Sequence, residues 1–179
     1  MIVVSVLEGM YGKMKRAKLI WRGLGQIKAN TALDNVPKKP GVYKLTFHLW
    51  GKTYAYIGEA GARGLRARIR DYANSPTQGN KVEHLMHDLL KEAGEAELSV
   101  CSIGMDEQKA RRQFEKEGIA KAARQRLICI NKRGCSGDVS MQRFVLQSEA
   151  RMLAKDLERV RAKLAKLDEA GSNSGMNSH

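Results

Sequence analysis

The stretch Pro37-Lys38-Lys39-Pro40-Gly41-Val42-Tyr43-Lys44-Leu45-Thr46-Phe47-His48-Leu49-Trp50-Gly51-Lys52-Thr53-Tyr54-Ala55-Tyr56-Ile57-Gly58 decides how the rest of the chain is read. The two prolines stiffen the approach. Val42 to Leu49 and Thr53 to Ile57 are rich in β-forming residues, and Trp50-Gly51-Lys52 supplies a turn between them, so the segment predicts a hairpin. Alternation places Tyr43, Leu45, Phe47 and Leu49 on one face of the first strand, and Tyr54 and Tyr56 on one face of the second. Gly58 to Gly64 holds three glycines and reads as a loop. Leu65 to Ala73 then reads as a basic helix carrying Arg66, Arg68 and Arg70.

Further along, Ser75 to Asn80 is a polar loop. Val82, Leu85, Met86, Leu89 and Leu90 recur at helical spacing, which predicts an amphipathic helix over 81–92 with Gly94 as its C-cap. His84 and His87 fall on this helix without a third ligand to complete a zinc set, and read as surface residues. Ala96 to Ile103 alternates as a third strand. Asp106 suits the N-cap of a long basic helix reaching about Arg126. Leu127 to Ile130 leads to Asn131 and a glycine-bearing loop, Gly134 to Gly137.

From position 146 the pattern changes. Leu146, Ala150, Leu153, Leu157, Val160, Leu164 and Leu167 alternate steps of four and three, a heptad seam. The expected organisation is a basic arm over 1–36, a compact domain over 37–138, an amphipathic coiled-coil helix over 139–169 and a disordered Gly/Ser/Asn-rich tail over 170–179.

The chain has 179 residues and a net charge of +13, which favours a polyanionic partner, nucleic acid above all. The charge is densest in the first forty residues, where eight Lys/Arg face two acids. There Tyr11 and Trp21 interleave with cations, a pattern that suits phosphate and base contact as well as it suits docking on the core. Cys101, Cys129 and Cys135 form no C-x-x-C pair, and no secretory leader precedes them, which argues for a reduced, cytoplasmic protein. The apolar start, Met1 to Leu7, is far too short to span a bilayer, so no membrane partner is expected.

Tyr43, Tyr56 and the arginine helix fall within about thirty residues, the order found in the GIY-YIG nuclease family. Val36-Pro37-Lys38-Lys39-Pro40-Gly41-Val42-Tyr43 resembles the approach to the family's first motif, and Tyr54-Ala55-Tyr56-Ile57-Gly58 matches its second. Leu65-Arg66-Ala67-Arg68-Ile69-Arg70-Asp71-Tyr72 matches the helix of the catalytic arginine, with Arg68 three after the leucine and Tyr72 where the family places a His or Tyr. For the family's acid, Glu115 competes with Glu117. Glu115 fits better, because Phe114 precedes it and Ile119 follows four later. Asn131 fits the closing asparagine, at a separation about one helical turn longer than common members show.

The resemblance covers about residues 37–133. It implies an α+β fold, with a small three-stranded antiparallel sheet flanked by helices, and a Mg²⁺-dependent endonuclease acting on double-stranded DNA. It implies roles residue by residue. Glu115 would hold Mg²⁺ (Mn²⁺ as a substitute), Arg68 would clamp the scissile phosphate, and Tyr43 would relay or accept the proton of water. Lys52, Lys81 and Tyr72 are alternative candidates to assist Tyr43, Asn131 would position the backbone, and Tyr56 would complete the site. Lys13, Lys15 and Arg16 of the arm, with Lys52, Arg63, Arg66, Arg70 and Lys81, are the expected DNA contacts. The compactness resembles standalone members, namely phage endonucleases that break down host DNA, restriction enzymes and mobile-element nucleases, with the phage or restriction type preferred. A homodimer through the 146–167 seam would give two sites for two strands.

Each residue also has an ordinary reading. Tyr43 and Tyr56 can be cross-strand packing aromatics, the arginines a solvated helix face, and Glu115 one charge among many. Two alternative functions follow: a nucleic-acid-binding module with an inactive site, and a coiled-coil interaction protein.

Overall fold

The computed structural model describes residues 21–74, 80–101, 107–125, 127–131 and 138–174. The expected hairpin is its centre. Strands β2 (Gly41–Leu49) and β3 (Lys52–Ala60) pair antiparallel, with Tyr43 opposite Gly58 and Leu49 opposite Lys52. The two-residue turn puts Trp50 at φ 51° and Gly51 at φ 71°. Both lie in the left-handed region, whose twist matches that of the flanking strands.

The fold is α+β, but among the described residues the sheet is mixed rather than antiparallel throughout, and it has five strands rather than three. Their order is β1-β4-β2-β3-β5. The three expected strands are all present, with β4 (Ala96–Cys101) antiparallel to β2. Two edges were hidden in the sequence. β1 (Arg22–Ile27) pairs antiparallel with β4 despite Gly23 and Gly25, whose poor strand propensity is absorbed by an irregularity in register between them. β5 (Ile128–Cys129) is only two residues long and pairs parallel with β3, so the sheet is mixed.

Residues 21–36 therefore do not stand apart as an arm. Ile27, Leu33 and Val36 are buried in the main core, and Trp21 packs on the opposite face of the sheet beside Ile57 and Gly118. Residues 1–20, with Tyr11, Lys13, Lys15 and Arg16, lie outside the described residues. β3 also runs through Gly58 to Ala60, so only the second half of the glycine-bearing segment is a loop.

Helices cover both faces. α1 (Gly64–Ala73) and α2 (Lys81–Ala93) bury Leu65, Ile69, Met86, Leu89 and Leu90 against Leu45, Phe47 and Leu98. α3 (Gln108–Arg124) covers the other face, where Val42, Ala55, Ile57, Ala122 and Cys129 meet. Glu107 stands at its N-cap position, while the expected cap Asp106 lies outside the described residues. His87 is 3% exposed and bonds the Tyr72 carbonyl through Nδ1, which corrects its expected place on the helix surface. The apolar neighbours Met86, Leu89 and Leu90 draw that turn inward.

α4 (Val139–Ser174) is rooted at the hairpin tip. Asp138 accepts Met141 N–H at 2.9 Å and Lys52 Nζ at 2.7 Å. These bonds hold its carboxyl below the usual range. Trp50 lies between Tyr54 and Phe144, with ring centroids 5.9 and 5.8 Å away. The helix continues to Ser174, so residues 170–174 are helical where a disordered tail was expected, and the rest of that tail, 175–179, lies outside the described residues. Among the described residues no helix is long and apolar enough to cross a membrane.

The approach loop fixes α1. Leu65 and Arg66 donate their backbone N–H groups to the carbonyls of Lys39 and Pro37, and Arg66 Nε donates to Val36 O at 2.8 Å. These carbonyls replace a side-chain cap, which the helix lacks. Gly64 lies at φ 78°, and a Cβ there would collide with the Lys38 carbonyl. Gly64→Ala is expected to cost at least about 2 kcal/mol. Gly94→Ala has a similar φ of 77° with open space around it, and is expected to cost about 1 kcal/mol. Urea unfolding of the two variants separates the collision from the dihedral cost.

Candidate active site

Three tyrosines from three elements converge. Tyr43 comes from β2, Tyr56 from β3 and Tyr72 from α1. Their ring centroids lie 6.2, 6.1 and 6.2 Å apart in the three pairs. The Tyr43 and Tyr72 hydroxyl oxygens are 2.6 Å apart, a hydrogen bond between sheet and helix. Tyr43 and Tyr72 are both 1% exposed, while Tyr56 is half-buried. Gly58 makes the cluster fit. It sits opposite Tyr43, and a Cβ there would lie 2.6 Å from Tyr43 Cζ and nearer still to its hydroxyl. This glycine makes room for a ring in mid-strand instead of serving a turn.

Arg68 is one helical turn before Tyr72, on the same face of α1. Its Nη1 donates to Glu83 Oε1 at 3.2 Å. Glu83 is also half of a capping box: its carboxylate accepts the Asn80 N–H, and Asn80 Oδ1 accepts the Glu83 N–H. The guanidinium is thus tied to the first turn of α2. Sequence reasoning missed Glu83. The signal was present in Asn80-Lys81-Val82-Glu83, a capping-box spacing placed just ahead of the amphipathic run.

These groups open onto a cleft of about 440 Å³. Tyr43, Tyr56, Arg68, Tyr72, Lys81 and Glu115 all line it, together with Gly58, Glu59, Asn80 and Val82. Glu115 reaches it from α3, the helix on the other side of the sheet. Glu117 does not line it, and accepts a bond from Gln113 at 2.9 Å instead. Glu59 was also missed. It follows Gly58 directly, and it is held by Arg111 at 3.2 Å and Arg112 at 3.5 Å.

Asn131 sits beyond β5 and brackets the backbone of one residue of β3, Ile57. Its Oδ1 accepts Ile57 N–H at 3.0 Å and its Nδ2 donates to Ile57 O. It lines an adjoining apolar groove of about 610 Å³ shared with Tyr56, Lys81 and Val82. Lys52 is not brought to the cleft, because it is engaged at the root of α4 by Asp138. Among the other expected DNA contacts, Arg63 pairs with Asp71 at 3.1 Å and Arg66 is turned onto the approach loop. Arg70 is exposed at the end of α1, and Lys81 stands 3.4 Å from Glu149.

The electrostatics follow from burial. Tyr43 is pushed well above the ordinary phenol range by burial and by the neighbouring rings Tyr72 and Tyr56, against the opposing pull of Arg68. Burial raises Tyr56 and Tyr72 as well. All three phenols are neutral near pH 7, and act as donors and acceptors of hydrogen bonds. Burial also acts to lower the pKa of Arg68, but Tyr72, Tyr43 and Glu83 more than offset it, and the guanidinium stays charged. Burial and then Glu59 raise Glu115 above the usual carboxylate range.

Among the described residues no three His, Cys, Asp or Glu side chains gather to form a metal cage. The donor set still fits a hard dication of the Mg²⁺ kind, which takes one or two carboxylates and completes its shell with phosphate and water. Glu115 is such a carboxylate, its negative charge disfavoured where it stands and therefore responsive to a cation. No protein-family model matches the chain, and no curated protein or solved structure does either.

A raised carboxyl pKa carries a stability signature. The folded state binds the Glu115 proton more tightly than the unfolded chain, so ionisation destabilises the fold as pH rises through the folded pKa. Glu115→Gln is therefore expected to raise Tm slightly at pH 7. The gain should disappear below about pH 4, where the wild-type carboxyl is protonated in both states. Thermal unfolding at the two pH values checks the sign.

Proposed function

We propose that the protein is a Mg²⁺-dependent DNA endonuclease of the GIY-YIG type, hydrolysing phosphodiester bonds in double-stranded DNA. The observation that carries this reading is the convergence of Tyr43, Tyr56, Tyr72, Arg68 and Glu115 on one cleft, from a hairpin and two helices on opposite faces of the sheet. Packing aromatics alone do not account for it. A core contact needs neither a guanidinium against three phenols nor a carboxylate facing them.

The chemistry is displacement at phosphorus. A water oxygen adds, one ester oxygen leaves and takes up a proton, and negative charge builds on the other phosphate oxygens. Arg68, held in place by Glu83, would meet that charge with a fixed cation. Glu115 would hold Mg²⁺, or Mn²⁺ in its place, and the bound ion would supply further positive charge against the phosphate. Tyr43 and Tyr72, joined hydroxyl to hydroxyl, would orient the water and pass one of its protons along their bond to solvent in the open cleft, while the leaving oxygen takes its proton from solvent. A phenol can transfer a proton this way while remaining neutral overall, which suits rings whose ionisation burial disfavours. Asn131 would hold the β3 backbone that carries Tyr56 and Gly58. The net charge of +13 supports a polyanionic substrate, with Arg70 and Lys81 at the described surface.

The test is nicking of supercoiled plasmid in Mg²⁺, with the cut ends then sequenced. Arg68→Ala and Glu115→Gln are each expected to lower the rate by about 10² to 10³-fold, while both proteins remain folded. Undiminished cleavage by either variant would overturn the assignment. Wild-type binding in EDTA with a steep salt dependence, but no cleavage in any divalent metal, would point instead to a binding module with an inactive site.

A further inference from the structure

We propose that α4 pairs with α4 of a second copy of this chain, as a parallel two-stranded coiled coil along the 146–167 seam. The helix carries two apolar faces. One is used by the domain: Met141, Phe144, Ser148 and Met152 are buried. The other faces solvent. Leu146, Leu153, Leu157, Val160, Leu164 and Leu167 are 66, 60, 52, 52, 54 and 68% exposed. Five of these six lie beyond Met152, and past that point Arg159 is half-buried while every other described side chain through Glu169 is exposed. The seam from 146 to 167 spans about 33 Å, most of it clear of the domain. A single helix with such a face is marginal in water, and a sustained leucine stripe of this length marks a partner surface.

The register identifies the partner. The seam places Ala150, Leu157 and Leu164 at a, and Leu146, Leu153, Val160 and Leu167 at d. Position g is then Glu149, Asp156 and Lys163, and position e is Gln147, Ala154, Arg161 and Asp168, with Glu149 facing the neutral Ala154 in a parallel pair. In a parallel pair each g residue faces the e residue five further on in the other helix. Asp156 meets Arg161 and Lys163 meets Asp168, both attractive, and twofold symmetry doubles each. An antiparallel pair stacked on the same leucines sets g against g and e against e. It keeps the Asp156–Lys163 attraction but leaves Arg161 facing Ala154 and Asp168 facing Gln147. The charges therefore favour an identical helix running the same way. Asp156 already bonds Arg159 of its own helix at 3.1 Å, which orders it at the edge of the seam. The inference stands independently of the nuclease reading.

Sedimentation and light scattering on the full chain test it. Wild type is expected to have twice the mass of one chain at micromolar concentration. Leu157→Lys with Leu164→Lys should be monomeric, with the aromatic near-UV spectrum of the domain unchanged. Arg161→Glu places like charges opposite Asp156 in the parallel pair alone, and should weaken association about tenfold or more. Adding Asp156→Arg should restore it. A wild-type monomer at about 100 µM, association indifferent to the leucine pair, or no response to Arg161→Glu would each overturn the proposal.

Discussion

The hydroxyl bond between Tyr43 and Tyr72 depends on one constraint, the register of the central hairpin. That register sets Gly58 opposite Tyr43 and so leaves space for a ring to lie flat across the neighbouring strand. A shift of one residue would turn Tyr43 to the other face, against α3, and would put a side chain where the ring now lies. The left-handed turn at Trp50-Gly51 holds the register at one end. The burial of Leu45, Phe47 and Leu49 on the same face holds it along its length. Everything in the cleft is placed relative to that ring.

α1 is fitted to the same frame from outside. The Pro37-Lys38-Lys39-Pro40 segment gives its carbonyls to the first turn of α1, and Gly64 permits the close approach. A loop that resembles a stiff lead-in to a strand thus also acts as a helix cap. The result is a short rigid path from β2 through the loop to Arg68. Glu83 then joins Arg68 to α2, and the capping box of α2 orders Glu83 in turn. Arginine orientation and helix initiation are coupled through one carboxylate.

Glu115 enters by a different route. It lies on α3, across the sheet from α1 and α2, and reaches the same cleft around the β3 edge that carries Gly58 and Glu59. Arg111 and Arg112 neutralise Glu59 beside it, so the acidic charge left facing the phenols is chiefly that of Glu115. α4 adds no residue to the lining of this cleft, though its Glu149 stands 3.4 Å from Lys81, which lines it. It takes its anchorage from the hairpin tip, through Asp138, Lys52, Trp50 and Phe144, and presents a second apolar face to solvent.

Local pattern was enough for the hairpin, the two amphipathic helices, the third strand and the heptad seam, because each repeats a period that side-chain burial imposes on neighbouring residues. Tyr43, Tyr56, Arg68, Tyr72 and Glu115 were legible as candidates because their order along the chain resembles a known motif. The sheet edges were not legible. β1 contains two glycines and β5 has two residues, so neither carries a period, and both are strands only because β4 and β3 offer them unpaired backbone groups. The capping-box spacing marks Glu83 in the sequence, but its pairing with Arg68, and that of Glu59 with Arg111, became visible only in three dimensions, since an ion pair between residues 15 or 52 positions apart leaves no local trace. The sequence by itself determined which residues can form strands, helices and a seam. Tertiary structure alone decided which charges meet, because that depends on how faces from distant segments are brought together.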